Sequence, residues 1–377
     1  MFNKSQRKSG YINTRQRIAI IGGGVAGLAF AVCYKRLGGR VDIYESSAKS
    51  GREGLGFILL KNGLKAMESL GLGQQVIDVG FPIKRCIILD DTGQSLMEQG
   101  LQNCFGITRK AFIDLLLNEI PTNWLHFNYE FSHFKWHENP ALAAKAAVFK
   151  NGEQVEADLF IGSDGAGSSV RKQIFPEARR SNVKCKELVS MINNPALVQQ
   201  LNQTFIKYKS LKGSLAVGIV PASQNTVLWF VQFSVDCYNK NLLIQTDYKT
   251  FVRKLVGNWP QPIQNLIETT NFSCSYLRMS SYLIPLHRFY KNNVVLIGDA
   301  AHALSPFTSQ GVNSAIEDTI ELTKAIENTK FGCYELAFEN YSVIRKATVN
   351  QYVDQGIVLQ EEFLSPHQPG QKLPFAF

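Results

Sequence analysis

Near the start of the chain, a short run of apolar residues is followed by a glycine-rich segment and then by a longer apolar run. Residues 17–21 form a short apolar run rich in branched residues, a pattern typical of a buried parallel strand. Residues 28–36 have helical propensity, and residues 41–44 predict a second strand that ends on Glu45. This order predicts a strand–helix–strand unit. A signal peptide or membrane helix is the alternative for residues 18–34, but three consecutive glycines and the short span argue against it.

Short apolar segments separated by polar turns continue as far as residue 162. Residues 90–93 are a hairpin signal between two of these segments, and Thr108 stands where it can cap a following helix. The predicted elements are helices over residues 62–72 and 111–118, and strands over residues 83–89, 95–99, 125–135, 146–150, 153–156 and 158–162.

Between residues 182 and 286 the pattern changes to alternating segments, which predict an inserted, mainly antiparallel sheet. Its predicted elements are strands over residues 215–220, 227–235 and 273–282 and a helix over 249–255. A continuous apolar run typical of a parallel strand returns at residues 293–297, and helical regions are predicted over 312–328 and 334–359. Four aromatic side chains of the insertion either form an apolar roof over a site or only fill the sheet core: Trp229, Phe230, Phe233 and Tyr282.

The composition is that of a globular protein, with 45% hydrophobic and 19% charged residues in a chain of 377. A net charge of +9 favours anionic ligands or an acidic surface, but the basic residues are scattered and no nucleic-acid module accompanies them. The seven dispersed cysteines form no close pair, which predicts reduced thiols in a cytoplasmic protein without a metal site. No other apolar run approaches the length of a membrane span.

The break after the first predicted strand reads G-x-G-x-x-G, with glycine at positions 22, 24 and 27. Gly22 allows a tight turn, Gly24 lets backbone amides approach a pyrophosphate, and Gly27 lets the helix pack against the strand. Glu45 follows at the distance of an acid that holds a ribose hydroxyl. Because strand, helix and acid all stand in the required places, the unit predicts dinucleotide binding.

Two further motifs follow in order. Asp164-Gly165 lies within residues 158–171, and Gly298-Asp299 lies within residues 295–302, ahead of Pro306 and of Gln310 to Asn313. Together with the glycine motif, these segments resemble the class A flavoprotein monooxygenases, the family of p-hydroxybenzoate hydroxylase and kynurenine 3-monooxygenase. The resemblance covers most of residues 17–345.

The resemblance implies FAD as cofactor and NAD(P)H as a transient co-substrate, since no second glycine motif is present. It implies that the glycine motif holds the pyrophosphate, Glu45 the adenosine ribose and Asp299 the ribityl chain. Plain alternatives are an exposed strand-end acid for Glu45, an ion-pair partner for Arg109 and a solvated loop charge for Arg52. The implied cofactor-binding residues are Gly22, Gly24, Val25, Ala26, Gly27, Glu45, Arg52, Gly56, Arg109, Asp164, Gly165, Asp299, Gly311, Val312 and Asn313.

No catalytic base is assigned. The candidates beside the flavin are Pro306, Gln310, Gly311 and His302, the last of which mostly supports the fold in this family. Two positions depart from the family pattern, because Ser309 stands where glycine is usual and Lys61 where proline is usual. Both departures leave hydroxylation less firmly predicted than cofactor binding.

The resemblance implies an α/β fold, with a Rossmann-like FAD-binding domain, an inserted antiparallel substrate domain like that of p-hydroxybenzoate hydroxylase, and a C-terminal helical region. The expected division is a flexible basic arm over 1–16, the FAD-binding domain over 17–82, 100–180 and 287–330, the substrate domain over 83–99 and 181–286, the helical region over 331–364 and a loose tail over 365–377.

The expected function is hydroxylation of an electron-rich, aromatic or polycyclic small molecule by NAD(P)H and O₂ through a flavin C4a-hydroperoxide, in a monomer or homodimer. One alternative is a flavin-dependent reductase or dehydrogenase of the same fold that acts on an isoprenoid-like substrate. Another is a flavin-binding protein without turnover. The tryptophan motif of the related halogenases is absent.

Overall fold

The computed structural model describes residues 16–48, 55–138, 143–236, 247–330, 332–368, 370 and 373. Its strands are β1 Ile18–Ile21, β2 Asp42–Glu45, β3 Gly56–Leu59, β4 Phe81–Asp90, β5 Ser95–Thr108, β6 Leu125–Phe127, β7 Phe131–Trp136, β8 Ala144–Phe149, β9 Gln154–Glu156, β10 Leu159–Gly162, β11 Cys185–Asn193, β12 Thr204–Lys209, β13 Leu215–Pro221, β14 Thr226–Ser234, β15 Tyr276–Ser280, β16 Tyr290–Lys291 and β17 Val294–Leu296.

The α-helices are α1 Val25–Arg36, α2 Lys61–Ser69, α3 Gly73–Val79, α4 Arg109–Asn118, α5 Ser169–Ile174, α6 Pro195–Leu201, α7 Tyr248–Val256, α8 Ile263–Thr269, α9 Asp299–His302, α10 Gly311–Glu327 and α11 Tyr334–Leu364. Short 3₁₀ turns occur at Thr122–Trp124, Phe272–Cys274 and Pro306–Thr308. No helix in the described ranges is both long and apolar enough to cross a membrane.

The first sheet has the strand order β16-β17-β10-β1-β2-β6, and all its pairs are parallel except β16 with β17. Its central strands are buried on both faces, which explains why their sequences are continuous apolar runs rather than alternating ones. The carboxyl ends of β1, β2, β10 and β17 meet at one edge of this sheet. In open parallel sheets, this edge is where ligands bind.

The second sheet has the order β15-β11-β14-β13-β12-β4-β5-β3 and is antiparallel except for the pair β12 and β4. One face packs against α6, α7 and α8 around a buried core that includes Trp229, Val217 and Phe251. The other face is turned toward the ligand edge of the first sheet. A small third sheet, β7-β8-β9, lies beside the first. Parallel and antiparallel sheets thus coexist as predicted, and the predicted fold class is confirmed.

Most predicted elements are present with shifted ends, but two interpretations were wrong. Residues 125–135 are not one strand, because β6 belongs to the first sheet and β7 to the third. The chain breaks at Asn128, which has φ +64° and whose N–H donates to Ser47 O. The insertion also contains the helices α6 and α8, where only strands and α7 were expected.

The hairpin and the helix cap were predicted correctly. β4 and β5 pair around the turn at residues 90–93, and the buried Asp90 carboxylate accepts hydrogen bonds from the N–H groups of Thr92 and Gln94. Thr108 accepts from Ala111 N at 3.2 Å and so begins α4. The last helix continues to Leu364, beyond its predicted end at residue 359. The predicted domain boundaries stay a prediction.

Candidate cofactor and substrate site

One cleft of about 1230 Å³ lies between the ligand edge of the parallel sheet and the open face of the second sheet. Ten of the sequence-predicted residues line it: Gly24, Val25, Ala26, Gly56, Arg109, Gly165, Asp299, Pro306, Gly311 and Val312. The predicted residues Gly22, Gly27, Glu45, Asp164, His302, Gln310 and Asn313 are not among the residues that line the cleft. Arg52 lies outside the described residues.

The glycine turn after β1 is held by close backbone packing. Gly22 has φ +110°, and a Cβ there would stand 2.5 Å from Ser163 O. A Cβ on Gly27 would stand 2.2 Å from Gly22 O. At Gly24, by contrast, the nearest atom is Arg109 Nη2 at 3.9 Å, so this position opens into the cleft. Two of the glycines are thus required by packing, and the third leaves room for a ligand beside the backbone.

The start of α1 is open to an anion. Gly24 is its N-cap and provides no side-chain cap, and Val25 and Ala26 of the first turn line the cleft. Backbone N–H groups at a helix N-terminus have no partner within the helix, and the helix dipole favours negative charge there. This arrangement fits the pyrophosphate of a dinucleotide.

Glu45 ends β2 beside the glycine turn. Its carboxylate accepts hydrogen bonds from Gly23 N at 2.8 Å, Ser47 N at 2.9 Å and Ser47 Oγ at 2.7 Å. Burial raises the pKa of Glu45, but these hydrogen bonds outweigh it and hold the pKa below the usual value. The carboxylate is therefore fixed and ionised, as a group that accepts a ribose hydroxyl must be.

Arg109 and Asp299 place opposite charges on the cleft wall. Arg109 is the first residue of α4 and is positioned by the Thr108 cap and by its own N–H, which donates to Leu55 O at 3.2 Å. Burial lowers the pKa of Arg109, and the charges of Asp299 and Glu45 act against that shift. Asp299 follows β17, and its exposed side chain faces the cleft.

The turn after β10 is built around Asp164, whose side chain is used locally. Its carboxylate accepts from Ser168 Oγ at 2.5 Å and from Ser169 N at 2.7 Å, so it closes the turn at the start of α5. Buried Arg171 then donates to Ala166 O at 2.6 Å and to Ala300 O at 2.8 Å. Arg171 thereby joins the Asp164 turn to the Asp299 turn, a role that the sequence analysis missed.

The N-terminus of α10 also opens on the cleft, without a side-chain cap. Asn313 is fully buried and accepts from Leu60 N at 2.9 Å, and it donates to Ser309 O at 2.8 Å. The Gln310 side chain accepts from Asn62 Nδ2 at 2.9 Å. Asn313 and Gln310 therefore fix the backbone of the loop, while Gly311 and Val312 present theirs to the cleft.

The two departures from the family pattern lie at positions whose backbone explains the family's usual residue. Ser309 lines the cleft with φ +54°, the left-handed region that glycine adopts most readily. Lys61 is exposed and is the first residue of α2, a position where proline is favoured because its missing N–H costs nothing. Neither residue obstructs the glycine turn.

His302 lies behind the cleft wall in a buried charge network. Its Nε2 is 2.5 Å from Asp318 Oδ2, and the same carboxylate accepts from Gly298 N at 2.7 Å and from Arg345 Nε at 2.7 Å. Burial raises the pKa of Asp318, but the charges of His302 and Arg345 hold it below the usual value. The geometry makes His302 a support for the turn that presents Asp299, and the motif alone gave no sign of Asp318 or Arg345.

The far side of the cleft is the open face of the second sheet. Phe230 lines it, whereas Trp229 and Phe233 point to the opposite, helix-covered face, because neighbouring residues of a strand alternate. Tyr282 packs against the core of the first sheet. Of the four predicted aromatics, only Phe230 therefore reaches the cleft.

Charged side chains that the sequence analysis missed also reach the cleft. Lys209 forms an ion pair with Glu362, which comes from the last turn of α11, and Arg278 forms one with the buried Glu187. Lys207 also lines the wall. The sequence contained one signal, since two lysines spaced by two in the apolar strand β12 must share a face.

The fold and the site define a flavoprotein with a Rossmann-like sheet. The chain matches the FAD binding domain family over residues 15–355. It is 26% identical to Monooxygenase 1 of Arabidopsis thaliana over 82% of this chain and 78% of that protein. It is also 26% identical to the FAD-dependent urate hydroxylase of Mycolicibacterium vanbaalenii, over 83% and 80%. Klebsiella pneumoniae HpxO, solved with FAD and uric acid, shares the fold with a TM-score of 0.81 at 19% identity, over 93% of this chain and 89% of that chain.

The chain belongs to the FAD binding domain family and, within it, to the class A FAD-dependent monooxygenases. It is an oxidoreductase with FAD as cofactor. The resemblance drawn from the three motifs is confirmed, whereas the individual roles of the site residues stay predictions.

Proposed function

We propose that the protein uses NAD(P)H and O₂ to hydroxylate an electron-rich, aromatic or polycyclic small molecule. The observation that carries the proposal is the continuity of the cleft, which runs from the glycine turn past Pro306 to the open face of the second sheet. A substrate bound in the part of the cleft next to the second sheet would lie beside the cofactor. The relatives named as monooxygenases support this reading.

Four groups would hold FAD: the amides at the start of α1, the Glu45 carboxylate, Arg109 and Asp299. When bound, the flavin supplies the redox chemistry, since it accepts a hydride from NAD(P)H and activates O₂. The uncapped N-terminus of α10 provides backbone N–H groups and the positive end of a helix dipole, which would stabilise negative charge on a reduced cofactor. No described side chain is assigned as a base.

The cleft must also keep water from the reacting atoms, because an activated oxygen species is otherwise lost as peroxide. Its wall supplies the required apolar surface. Side chains from four adjacent strands of the second sheet contribute to it: Val189, Phe205, Val220, Leu228 and Phe230. Pro306 and Phe307 supply apolar surface from the opposite side.

The test begins with the visible spectrum of the purified protein and with NADPH oxidation in the presence of a panel of phenolic and polycyclic compounds. We expect flavin absorption, faster NADPH oxidation with at least one compound, and one ¹⁸O atom from ¹⁸O₂ in its product. Protein stripped of FAD is the matched control. A compound that accelerates NADPH oxidation and is reduced, with no oxygen gained, would support the reductase alternative. Bound flavin that no compound makes reactive would support a binding protein without turnover.

A further inference from the structure

The cleft-facing side of the second sheet places one lysine among apolar groups. In the strand register Lys207 stands opposite Gly218, Gly218 stands opposite Phe230, and Phe230 stands opposite Val189. Paired residues lie on the same face, so this row faces the cleft together. A Cβ on Gly218 would stand 2.1 Å from the Phe230 ring, so the ring covers the glycine and reaches toward Lys207.

The ammonium group of Lys207 differs from the other cations of this wall. Lys209 is paired with Glu362, and Arg278 is paired with Glu187. Within the described ranges, no carboxylate forms an ion pair with Lys207. Its recorded contact is with an aromatic ring, since Lys207 Nζ lies 5.8 Å from the centroid of Phe307. Phe307 follows Pro306 in the chain. Lys207 on the second sheet therefore lies close to the Pro306–Thr308 turn on the opposite side of the cleft.

A second polar group of the same wall also lacks a partner. Gln232 is 2% exposed and lines the cleft, and its Oε1 atom accepts no hydrogen bond from any described residue. Its Nε2 atom donates to Glu187 Oε1 at 3.5 Å, which orients the amide. A buried acceptor without a donor costs free energy, and a ligand that supplies the donor recovers it.

The surroundings of Lys207 explain why it would favour an anion. Burial lowers the pKa of Lys207, and the charges of Glu362 and of Glu187, which lies on the same sheet face, partly oppose this shift, as does Cys86 of β4. Lys209 acts in the same direction as burial. A half-buried cation without an ion-pair partner of its own gains more from an anionic ligand than a cation that is already paired.

We propose that Lys207 and Gln232 form a subsite for an aromatic acid, in which Lys207 pairs with an anionic oxygen and the Gln232 Oε1 atom accepts from an N–H or O–H donor of the same molecule. This deepens the proposed function, on which it rests, because it selects acidic aromatic compounds among electron-rich ones. The neutral part of the ligand would lie against Phe230 and Phe307.

The test compares matched acids and amides on the FAD-loaded protein. Anthranilate and anthranilamide form one pair, and salicylate and salicylamide the other, with affinity read from the change in the flavin absorption spectrum. We expect at least one acid to bind about tenfold or more tighter than its amide. Lys207→Met should abolish that preference, and Lys207→Arg should keep most of it. Lys84→Met, which changes an exposed lysine on the neighbouring strand β4, should leave it unchanged.

Gln232→Leu gives a second test, because it should weaken the acid that carries a donor by several-fold while benzoate, which has none, changes little. Equal binding of acids and amides, no binding of any acid, or a preference that survives Lys207→Met would overturn the proposal. The readout is binding, so it is separate from turnover. Oxygen incorporation into a neutral compound would leave the proposed function in place while the subsite failed.

Discussion

The buried carboxylate of Asp318 gives the sharpest stability prediction. It is 0% exposed and joins three groups: Gly298 N, His302 Nε2 and Arg345 Nε. Asp318→Asn keeps the size of the side chain but removes its charge and turns an N–H₂ group toward donors. Removing one partner of a buried ion pair costs about 3–5 kcal/mol. Because Glu317 also pairs with Arg345 at 3.2 Å, we expect the lower end, about 3 kcal/mol.

Urea unfolding measures this loss. With an m-value of about 3 kcal/mol per M, a loss of about 3 kcal/mol moves the midpoint down by about 1 M. Glu317→Gln is the matched control, because Glu317 contacts the same arginine but is 22% exposed, and it should cost less than about 1 kcal/mol. The reasoning is refuted if Asp318→Asn costs no more than Glu317→Gln.

The same carboxylate gives a pH dependence of known sign. The pKa of Asp318 is lowered on folding, so its contribution is fully present above the unfolded value of about 3.9 and is lost as the pH falls below that value. The free energy of unfolding of the wild-type protein should therefore fall more steeply below about pH 4 than that of Asp318→Asn. Parallel curves for the two proteins in this range would contradict the assignment.

Three further substitutions test the cofactor side. Gly27→Ala places a Cβ 2.2 Å from Gly22 O, so the variant should lose bound FAD and about 1–3 kcal/mol of unfolding free energy. Gly167→Ala is the control, because a Cβ there meets no atom within 4 Å, and it should retain FAD as the wild type does. Glu45→Gln should weaken FAD binding about 10- to 100-fold in titrations of the apoprotein, since it loses a charged acceptor; unchanged affinity would assign Glu45 to the turn alone. Ser309→Gly relieves a left-handed backbone and should hold or raise the thermal midpoint; a loss above about 1 kcal/mol would show that the hydroxyl makes a needed contact.

The cofactor side was readable from sequence because its signals are local. Gly22 and Gly27 are required by atoms of the turn and of the adjacent strand end, and they flank the start of α1 at Val25, which fixes their spacing. The Thr108 cap lies within three residues of its donor. Local constraints of this kind leave a fixed spacing in the chain, which is why the motif predicted both the turn and the class of ligand.

The charge network behind the Asp299 turn and the charged residues of the second sheet could not be predicted from the sequence, because the residues that interact there are far apart in the chain. Asp318 contacts Arg345 only when α10 and α11 pack together, and the sequence of neither helix indicates which residue of the other it will contact. Residues 125–135 show the same limit on a smaller scale, since an apolar run does not reveal that its halves join different sheets. Hydrophobic pattern selects the face that is buried, whereas the identity of the partner is settled by the packing.

The last helix connects the two sides of the site, which gives it a role beyond closing the fold. In its first half Arg345 is buried against Asp318, which in turn holds the N–H of Gly298 and so presents Asp299. At its end Glu362 occupies Lys209 on the substrate wall. Because Glu362 is engaged in the ion pair with Lys209, the proposed subsite relies on Lys207, and the position of this helix end would decide which lysine an anionic ligand meets. If Lys207 binds the anionic group as proposed, a displacement of α11 would change the support of the Asp299 turn and the charge preference for the substrate together.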